Sequence, residues 1–368
     1  MFLANPFPGA FGLDIGDLSI KLVQLKRHHP LNKARYFSVE TIRTAHLMPG
    51  CIVNGEIQQP EIVRKKILHL LSKEGGQKAL KSPWVVASLP ESKTFLKLIE
   101  IPTPETELTF DDISFYATKH LPFDLNEAYL DWQIIPDENK ASKMCQVLIG
   151  GVPKSLADTY TYLFEAAGLN PLALELESVA IARTMITELK DYSGIGRAIL
   201  NIGATRSNII IYDKNSIQFS ATIAFSGELV TTALAEGLGI HYEEAEKIKI
   251  ENGVVYDKKN PKYLNIVDAQ VDRLVEEIKR ILSFYKDHFA DTNPITHITI
   301  CGGFALFKNL DSVLSHKLHI SSHPGNAWKN VSSLPVSDET KAQGLTLPCA
   351  LGLALRAAEN PLQSAASL

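Results

Sequence analysis

The stretch FGLDIGDLSIKLVQL at residues 11–25 sets the pattern of the chain, because a second copy, AILNIGATRSNIIIY, follows at residues 198–212. Each copy predicts a strand, a tight turn and a second strand, with Gly16 and Gly203 at equivalent places in the two turns. Glycine has no side chain, so its backbone N–H can approach a phosphate closely. Two such hairpins in distant parts of one chain predict two related domains that face a shared ligand.

A third glycine-containing stretch, HITICGGFALFKNL, occupies residues 297–310. It predicts a strand that ends at Gly302 and Gly303 and continues into a helix. Glycines between a strand and the N-terminus of a helix allow a nucleotide to approach the backbone. Asp14 ends the first strand of the chain, where its carboxylate can hold a hydrated Mg²⁺ beside the phosphates. The three stretches together predict a nucleotide site.

The composition limits the class of protein. A chain of 368 residues with 45% hydrophobic and 21% charged residues predicts about two folded domains. Its 37 basic and 41 acidic residues give a net charge of −4, which argues against general binding to nucleic acid. The four cysteines form no paired motif and predict reduced thiols without a zinc site. No apolar run reaches the roughly 18 residues of a membrane helix, so we expect a cytoplasmic protein.

Helices follow from the spacing of apolar residues. The clearest is predicted at 268–288, where an apolar stripe recurs at the helical period. A polar segment at 252–267 is expected to precede it. The last predicted helix, at 347–359, contains Ala350 and Gly352, whose small size allows close helix contact between the two halves of the chain.

The three glycine stretches resemble the phosphate-1, phosphate-2 and adenosine motifs of the actin, Hsp70 and sugar-kinase superfamily. Within it, the chain resembles the FtsA family and, more closely, the PilM family of type IV pilus assembly proteins, over nearly its whole length. The resemblance implies an α/β fold of the actin/Hsp70-like two-domain ATPase type, with the inserted subdomain 1C of FtsA and PilM. The implied division is 1–82, 165–193 and 341–368 for subdomain 1A, 83–164 for subdomain 1C, and 194–340 for the second domain, with 2B at about 228–268.

The resemblance also implies a site for ATP and Mg²⁺, in which Asp14 holds the metal through water. Glu246 and Lys249 enter this site through their AEKIK context, although their spacing alone also fits a solvated ion pair on a helix. The implied nucleotide-binding residues are Asp14, Gly16, Ser19, Lys21, Asn201, Gly203, Thr205, Glu246, Lys249, Gly302 and Gly303.

The second copy departs from the family pattern at two positions. Asn201 stands where relatives usually carry aspartate, and Arg206 stands where a small hydroxyl residue is common. An amide cannot act as a base and binds Mg²⁺ water less strongly than a carboxylate does. We therefore expect nucleotide binding with weak or no ATPase activity, and no catalytic residue is assigned.

The resemblance to PilM further implies a cytoplasmic scaffold, peripheral to the inner membrane. It would bind the N-terminal peptide of a membrane protein, PilN in that family, in a groove between 1A and 1C. Other pilus platform proteins, the assembly ATPase and self-association are further implied contacts, and nucleic acid is not. The expected peptide-binding residues are Leu96, Leu98, Phe115, Phe123 and Tyr129. The same aromatic side chains also fit a role in the small core of subdomain 1C.

Two alternatives belong to other functional classes. One is an FtsA-like cell-division protein, although FtsA normally ends in a basic amphipathic helix and this chain ends in ENPLQSAASL. The other is an enzyme of the superfamily, either a vigorous ATPase or a sugar kinase, although no loop resembles the one that carries the aspartate base of sugar kinases. Pilus, competence and secretion machines all fit the PilM resemblance.

Overall fold

The computed structural model describes residues 5–28, 37–73, 78–136, 144–187, 190, 192, 194–254, 260–331, 337–359 and 361–362. Its strands are β1 Phe11–Ile15, β2 Ser19–Arg27, β3 Phe37–His46, β4 Ile52–Val53, β5 Glu56–Ile57, β6 Trp84–Leu89, β7 Phe95–Ile101, β8 Ala128–Ile135, β9 Cys145–Pro153, β10 Asn170–Leu176, β11 Gly196–Ile202, β12 Ser207–Asp213, β13 Ser216–Ile223, β14 Ile295–Cys301 and β15 Ser321–Pro324. Its α-helices are α1 Pro60–Leu71, α2 Phe110–Thr118, α3 Lys154–Ala166, α4 Glu177–Met185, α5 Gly227–Leu238, α6 Tyr242–Asn252, α7 Pro261–His288, α8 Leu310–Leu318, α9 Asp338–Leu345 and α10 Pro348–Ala358.

Both copies of the repeated pattern form the hairpins that the sequence predicts. Strands β1 and β2 are antiparallel, and Asp14 is the cross-strand partner of Lys21. Strands β11 and β12 are antiparallel as well, and Asn201 is the partner of Asn208. Each first strand is buried because apolar residues dominate it. The two hairpins belong to two different sheets.

The first sheet has five strands in the order β10-β6-β1-β2-β3, and β1, β6 and β10 are parallel to one another. The second sheet has eight strands in the order β15-β14-β11-β12-β13-β7-β9-β8. The two sheets are therefore the cores of the two predicted halves, and strands β7, β9 and β8 extend the second of them. The junction is a single register pair, Phe219 on β13 with Lys97 on β7.

The strands of the segment 83–164, which the sequence predicted as one inserted subdomain, are divided between the two sheets. Strand β6 lies inside the first sheet, between β1 and β10. Helix α3 also packs on that half, where Tyr160 and Phe164 are fully buried. The segment whose strands extend the second sheet is therefore residues 95–153. An apolar strand is buried equally well in either sheet, so the sequence alone does not say which sheet takes β6.

Helices α4 and α10 lie between the two sheets. At their contact, a Cβ on Gly352 would stand 1.8 Å from the carbonyl oxygen of Ala180. Gly12 on β1 makes a similar approach, since its Cβ would be 2.4 Å from the nitrogen of Ala354 on α10. Small residues therefore allow close contact of α10 with α4 and β1, all of which fall in the predicted subdomain 1A, so these contacts do not test the expected contact between the two halves. The core around these helices contains side chains from both halves, including Val86 and Ile199.

Helix α7 is longer than the sequence predicts, because it begins at Pro261 and not at residue 268. The side chain of Asn260 accepts a hydrogen bond from the N–H of Tyr263 (3.2 Å), and proline suits the first helical position. Tyr263 and Val267 are buried and continue the apolar stripe into the segment expected to be polar. Across the described ranges, no helix combines the length and apolar character needed to cross a membrane.

Candidate functional site

The two glycine turns share an equivalent backbone hydrogen bond. In the first, the N–H of Gly16 donates to the carbonyl of Ser19 (2.9 Å). In the second, the N–H of Gly203 donates to the carbonyl of Arg206 (2.8 Å). A Cβ on Gly203 would lie 2.6 Å from that carbonyl oxygen, whereas one on Gly16 would lie 3.4 Å from the oxygen of Ser19. The second turn therefore requires glycine, and the first leaves room for a methyl group.

The two turns touch through a side chain that the sequence reasoning did not select, Asp17. Its carboxylate accepts hydrogen bonds from the Thr205 hydroxyl (3.1 Å) and the N–H of Gly55 (3.1 Å). It also forms an ion pair with Arg206, with 3.2 Å between Asp17 Oδ1 and Arg206 Nη2. Thr205, which the sequence assigned to the nucleotide, thus binds a carboxylate of the other half. The sequence signal for this bridge is an acid in one glycine turn and a base in the other.

Asp14 stands beside the first turn with two polar partners. The hydroxyl of Ser88 on β6 donates to Asp14 Oδ1 (3.1 Å), and Lys21 Nζ lies 4.0 Å from Asp14 Oδ2. The side chain of Asp14 also contributes to raising the pKa of the buried Cys349 thiol, for which burial is the larger cause. Ser19 opens β2 directly after the turn. Asp14, Ser88 and Lys21 therefore form one polar group at the end of β1.

A cleft of about 600 Å³ opens next to the turns. Its second-half wall contains four of the predicted residues, Gly203, Glu246, Lys249 and Gly303. The other lining residues are Leu18, His46, Leu47, Pro49, Ala204, Gly227, Glu228, Tyr242, Ile250, Phe304, Leu306 and Phe307. The cleft thus combines glycine backbone at one end with an aromatic and aliphatic wall, and both halves of the molecule line it.

Lys249 is fixed in the wall of this cleft. Its ammonium group pairs with Glu246 (2.6 Å) and donates to the carbonyl of Gly227 (3.0 Å) and the hydroxyl of Thr231 (2.7 Å). Lys249 is 6% exposed, whereas the side chain of Glu246 is 39% exposed. Helix α6 therefore presents a carboxylate to the cleft and keeps the lysine behind it.

Of the double glycine, Gly303 lines the cleft and Gly302 does not. Gly302 has a φ of +86°, and its Cβ would lie 2.3 Å from the carbonyl oxygen of Ile202, so no other residue fits there. Gly303 is the opposite case, because a Cβ there would meet nothing within 4 Å. The ring of Phe304 follows, with Lys249 Nζ 5.8 Å from its centre. The space over Gly303 is therefore open to a ligand.

Asn201 does not line this cleft. Its Nδ2 donates to Asn208 Oδ1 (3.0 Å), and it borders a separate polar cavity of about 20 Å³ behind the second turn. That volume holds about one water molecule. The other residues that line it are Glu91, Ser92, Glu177, Arg206, Ser207, Asn208 and Thr222. In the described structure, Ser207 Oγ and Asn208 Nδ2 are buried without a hydrogen-bond partner.

Two carboxyl groups of this inner cavity were missed by the sequence reasoning. Burial raises the pKa of Glu177 to about 8, although Arg206 opposes the shift. Burial also raises the pKa of Glu91, which accepts hydrogen bonds from the Ser178 hydroxyl (2.8 Å) and the Ser220 hydroxyl. Both residues follow strands parallel to β1, and the carboxyl ends of parallel strands meet at one edge of a sheet. Acidic residues just after β6 and β10 could therefore have been predicted to lie near Asp14.

A second large opening, of about 740 Å³, lies between the two sheets. We call it the edge groove, because its walls include β8, the edge strand of the second sheet, and β10, the edge strand of the first. Its lining residues are Leu89, Leu96, Tyr129, Leu130, Asp131, Trp132, Gln133, Leu148, Gly150, Gly151, Val152, Ala157, Asp158, Thr161, Leu172, Leu174, Glu175, Leu176, Val179, Arg356, Pro361 and Leu362.

The expected peptide-binding residues divide between this groove and other places. Leu96 and Tyr129 line it. Leu98 is buried in the core between the halves, and Phe115 is 60% exposed on α2 with Lys119 Nζ 4.3 Å from its ring centre. Phe123 packs over Gly151, where a Cβ would be 3.3 Å from its ring. The structure thus brings two of the five side chains together.

Comparison with known proteins identifies the family. The model of a family described as type IV pilus assembly protein PilM matches residues 12–358. The chain belongs to the PilM family. It is therefore a type IV pilus assembly protein with an actin-like fold, and the expected fold class is confirmed.

Individual relatives are similar to this chain at low sequence identity. The cell division protein FtsA of Enterococcus faecalis is 21% identical over 308 residues, which is 74% of this chain and 69% of that protein. A solved structure titled as a PilM-PilN type IV pilus biogenesis complex has a TM-score of 0.80 at 22% identity and covers 96% of this chain and 100% of that one. MreB5 of Spiroplasma citri, solved with ADP, has a TM-score of 0.50 at 12% identity, covering 94% of this chain and 95% of that one. At these identities the structures support the fold alone.

Proposed function

We propose that this PilM-family protein binds an adenine nucleotide, ATP or ADP, with Mg²⁺ in the cleft between its two halves. The observation that carries the proposal is that Gly203, Gly303, Glu246 and Lys249, from three separate stretches of sequence, line one cleft. The residues present fit the ligand, because backbone at Gly303 is open and an apolar wall can hold a base. Asp14 can accept hydrogen bonds from water bound to Mg²⁺. The other ligands of this metal are usually phosphate oxygens and further water molecules.

Calorimetry with ATP and with ADP, each with Mg²⁺, tests nucleotide binding. Gly303→Asp should abolish the heat of binding, because it places bulk and negative charge in open space without disturbing a neighbour. The matched control is Gly150→Asp in the edge groove, where a Cβ would meet Leu176 Cδ1 at an ordinary 3.6 Å. That variant should bind nucleotide normally. No heat from the wild-type protein with either nucleotide up to about 1 mM would contradict the proposal.

We also propose that nucleotide turnover is slow or absent. Asn201 supplies an amide where a carboxylate would orient water, and it is committed to Asn208. Glu177 is a buried carboxyl group that lines the inner cavity with Asn201, and its raised pKa keeps it largely protonated at neutral pH. Steady phosphate release above about 1 s⁻¹ would contradict this part of the proposal.

We also propose that the protein is a scaffold that binds the N-terminal peptide of a PilN-like inner-membrane protein. Through this partner it would lie at the periphery of the membrane. The edge groove supports this proposal. Extended peptides bind by pairing with a strand edge and placing alternate side chains in apolar pockets. The groove offers both features, since β8 and β10 end their sheets and Leu172, Leu174 and Leu176 line the floor. Contacts with further platform proteins, with the assembly ATPase and between copies of the chain are proposed on the family resemblance alone.

Fluorescence anisotropy with a labelled copy of that peptide tests the groove. A Kd in the micromolar range, about −8 kcal/mol, is expected. Tyr129→Ala and Gly150→Asp should weaken binding, and Gly303→Asp should not. Phe115→Ala distinguishes the groove from the sequence-based set, because Phe115 is exposed but lies outside it. If Phe115→Ala abolished peptide binding and Gly150→Asp left it unchanged, the peptide site would lie outside the edge groove.

The subdomain division remains part of the proposal, with the insertion limited to residues 95–153. Residues 1–94 with 154–193 and 341–368 would then form subdomain 1A. Residues 194–340 would form the second domain, with 2B at about 228–268. Helix α10 packs against β1, β2 and β6, which supports the assignment of the C-terminal helix to 1A.

A further inference from the structure

A cluster of basic side chains lies at the amino ends of three parallel strands of the second sheet. Arg197 stands near the start of β11 and is the register partner of His297 on β14. His297 in turn pairs with Ser321 on β15, whose hydroxyl oxygen lies 2.9 Å from His323 Nε2. The carboxyl ends of β11 and β14 lead instead to the glycines that line the cleft. The cluster is therefore at the opposite end of these strands from the proposed nucleotide site.

Two lysines complete the cluster from outside the sheet. Lys329 donates to a backbone carbonyl at the end of α4, and its remaining N–H groups can bind a ligand. Burial and then the positive charges of Lys190 and Arg197 lower the pKa of Lys329 to about 8. Burial and the same two side chains also lower the pKa of His297, with His323 as a further basic neighbour. The side-chain charges that act on these two groups are thus all basic.

Arg197 has a donor without an acceptor. Its Nε is buried and lacks a hydrogen-bond partner within the described part of the chain. The guanidinium lies over the ring of Tyr192, 4.8 Å from the ring centre, so its flat side is covered. An unpaired buried donor is unfavourable, most of all on a charged group. Within the described ranges, no carboxylate forms an ion pair with this arginine or with the two lysines, so what the cluster lacks is a negative charge.

We propose that this cluster, formed by Lys190, Arg197, His297, His323 and Lys329, is a binding site for a phosphate group. A guanidinium donates paired hydrogen bonds to phosphate or carboxylate oxygens, and a lysine adds a compact charge. A carboxylate carries a single charge, whereas a phosphate monoester carries about two at neutral pH and suits a site where several cations meet. A metal ion is a poor occupant in spite of the histidines, because the surrounding charge is positive. The proposal does not depend on the nucleotide function.

Thermal unfolding of the full chain in sodium phosphate, compared with sodium chloride of equal ionic strength, tests binding of free phosphate. Gly303→Asp serves as the parent protein, so that phosphate in the cleft does not contribute. We expect phosphate to raise the Tm of this parent. Arg197→Gln should weaken phosphate binding at least about tenfold, because it removes a charged donor. Exposed Lys190→Gln should weaken it about threefold, and Arg273→Gln, at an exposed position on α7, should not change it.

Co-sedimentation with vesicles of phosphatidic acid and phosphatidylcholine tests a lipid headgroup as the source of the phosphate. Pelleting that requires phosphatidic acid and is lost in Arg197→Gln would assign the site to the lipid. A Tm increase in phosphate without pelleting would assign it to free phosphate. Neither response in the parent, or equal responses of Arg197→Gln and Arg273→Gln, would overturn the proposal. If Arg197→Gln does not fold, Lys190→Gln provides the same comparison.

Discussion

In the first glycine turn, the residue two before the glycine is Asp14, and its cross-strand partner is Lys21; in the second turn the equivalent pair is Asn201 and Asn208. The first pair is charged and partly exposed, and the second is neutral and mostly buried. The backbone hydrogen bond at the glycine is nevertheless the same in both turns. The repeat therefore preserves the turn, while the side chains around it have separate tasks. The second hairpin lines the cleft through Gly203 and Ala204 and also borders the small polar cavity, whereas the first turn contributes only Leu18 to the cleft.

The turns differ again at their point of contact, where the first supplies the acid and the second the base. Arg206→Ala should reduce stability more than any other single change at the turns, because it leaves Asp17 buried with one partner fewer and Glu177 without its nearest cation. Breaking a buried ion pair from one side costs about 3 kcal/mol of unfolding free energy. Urea denaturation measures the loss. Lys93→Ala, which removes an ion pair with Glu56 whose side chains are 35% and 55% exposed, should cost less than about 0.5 kcal/mol. Equal losses in the two variants would mean that the bridge is not a structural contact.

Alanine at the two turn glycines compares the turns sterically. Gly203→Ala should lower the unfolding free energy by about 2 kcal/mol, because the new Cβ would lie 2.6 Å from a backbone oxygen that cannot rotate away. Gly16→Ala should cost less than about 1 kcal/mol, since its Cβ would stand 3.4 Å from the nearest atom. Thermal and urea unfolding of both variants provide the comparison. A larger loss at Gly16 would show that the first turn is the tighter of the two.

The carboxyl group of Glu177, near both turns, should make stability depend on pH. Its pKa is about 8 in the folded protein against an ordinary 4.5, so the folded state holds the proton more tightly than the unfolded chain. The protonated carboxyl group of Glu177 therefore stabilises the folded state relative to its ionised form. This stabilisation is fully present below about pH 4.5 and is lost as the pH rises toward 8. Glu177→Gln stays neutral, so its stability relative to wild type should increase steadily as the pH rises from about 5 to about 8. Denaturation at several pH values measures this. A difference that stays constant with pH would show that Glu177 is not desolvated.

Asn201→Asp gives the second turn the aspartate that the first turn has at Asp14. Of the changes considered, it should have the smallest effect on stability. Asn201→Asp should change the unfolding free energy by less than about 1 kcal/mol, because Asn208 can rotate its amide and donate its unpartnered Nδ2 to the new carboxylate. The same change should raise any residual phosphate release, since it restores the carboxylate that relatives usually carry at this position of the second hairpin. A malachite green assay measures that rate. A stable Asn201→Asp protein with no increase would remove Asn201 as the cause of slow turnover.

The sequence predicted the parts of the fold that depend on local pattern. Apolar runs around Gly16 and Gly203 predicted both hairpins, and the double glycine predicted an open backbone position, which the structure has at Gly303. The bridge from Asp17 to Arg206 could not be predicted in this way, because it depends on how two distant halves meet. The same reason applies to Glu91 and Glu177, which converge only once β6 and β10 are known to be parallel neighbours of β1.

The sequence also could not assign β6 to one of the two sheets. Strand β6 has an apolar pattern that fits either sheet, and only the pairing with β1 and β10 assigns it to the first. For the peptide-binding set, the sequence indicated the segment but not which side chains face the groove. Tyr129 lies on β8 and faces it, whereas Phe115 lies on α2 outside it.

A crystal structure of the full chain grown with Mg²⁺ and ADP tests the central claim most directly, namely that the two glycine turns form one nucleotide site. We predict the phosphates between Gly16 and Gly203, the base over Gly303 and beside Glu246, and the Asp17 to Arg206 ion pair still intact. A nucleotide bound elsewhere, or a cleft that stays empty at saturating ADP while the protein remains folded, would contradict the account.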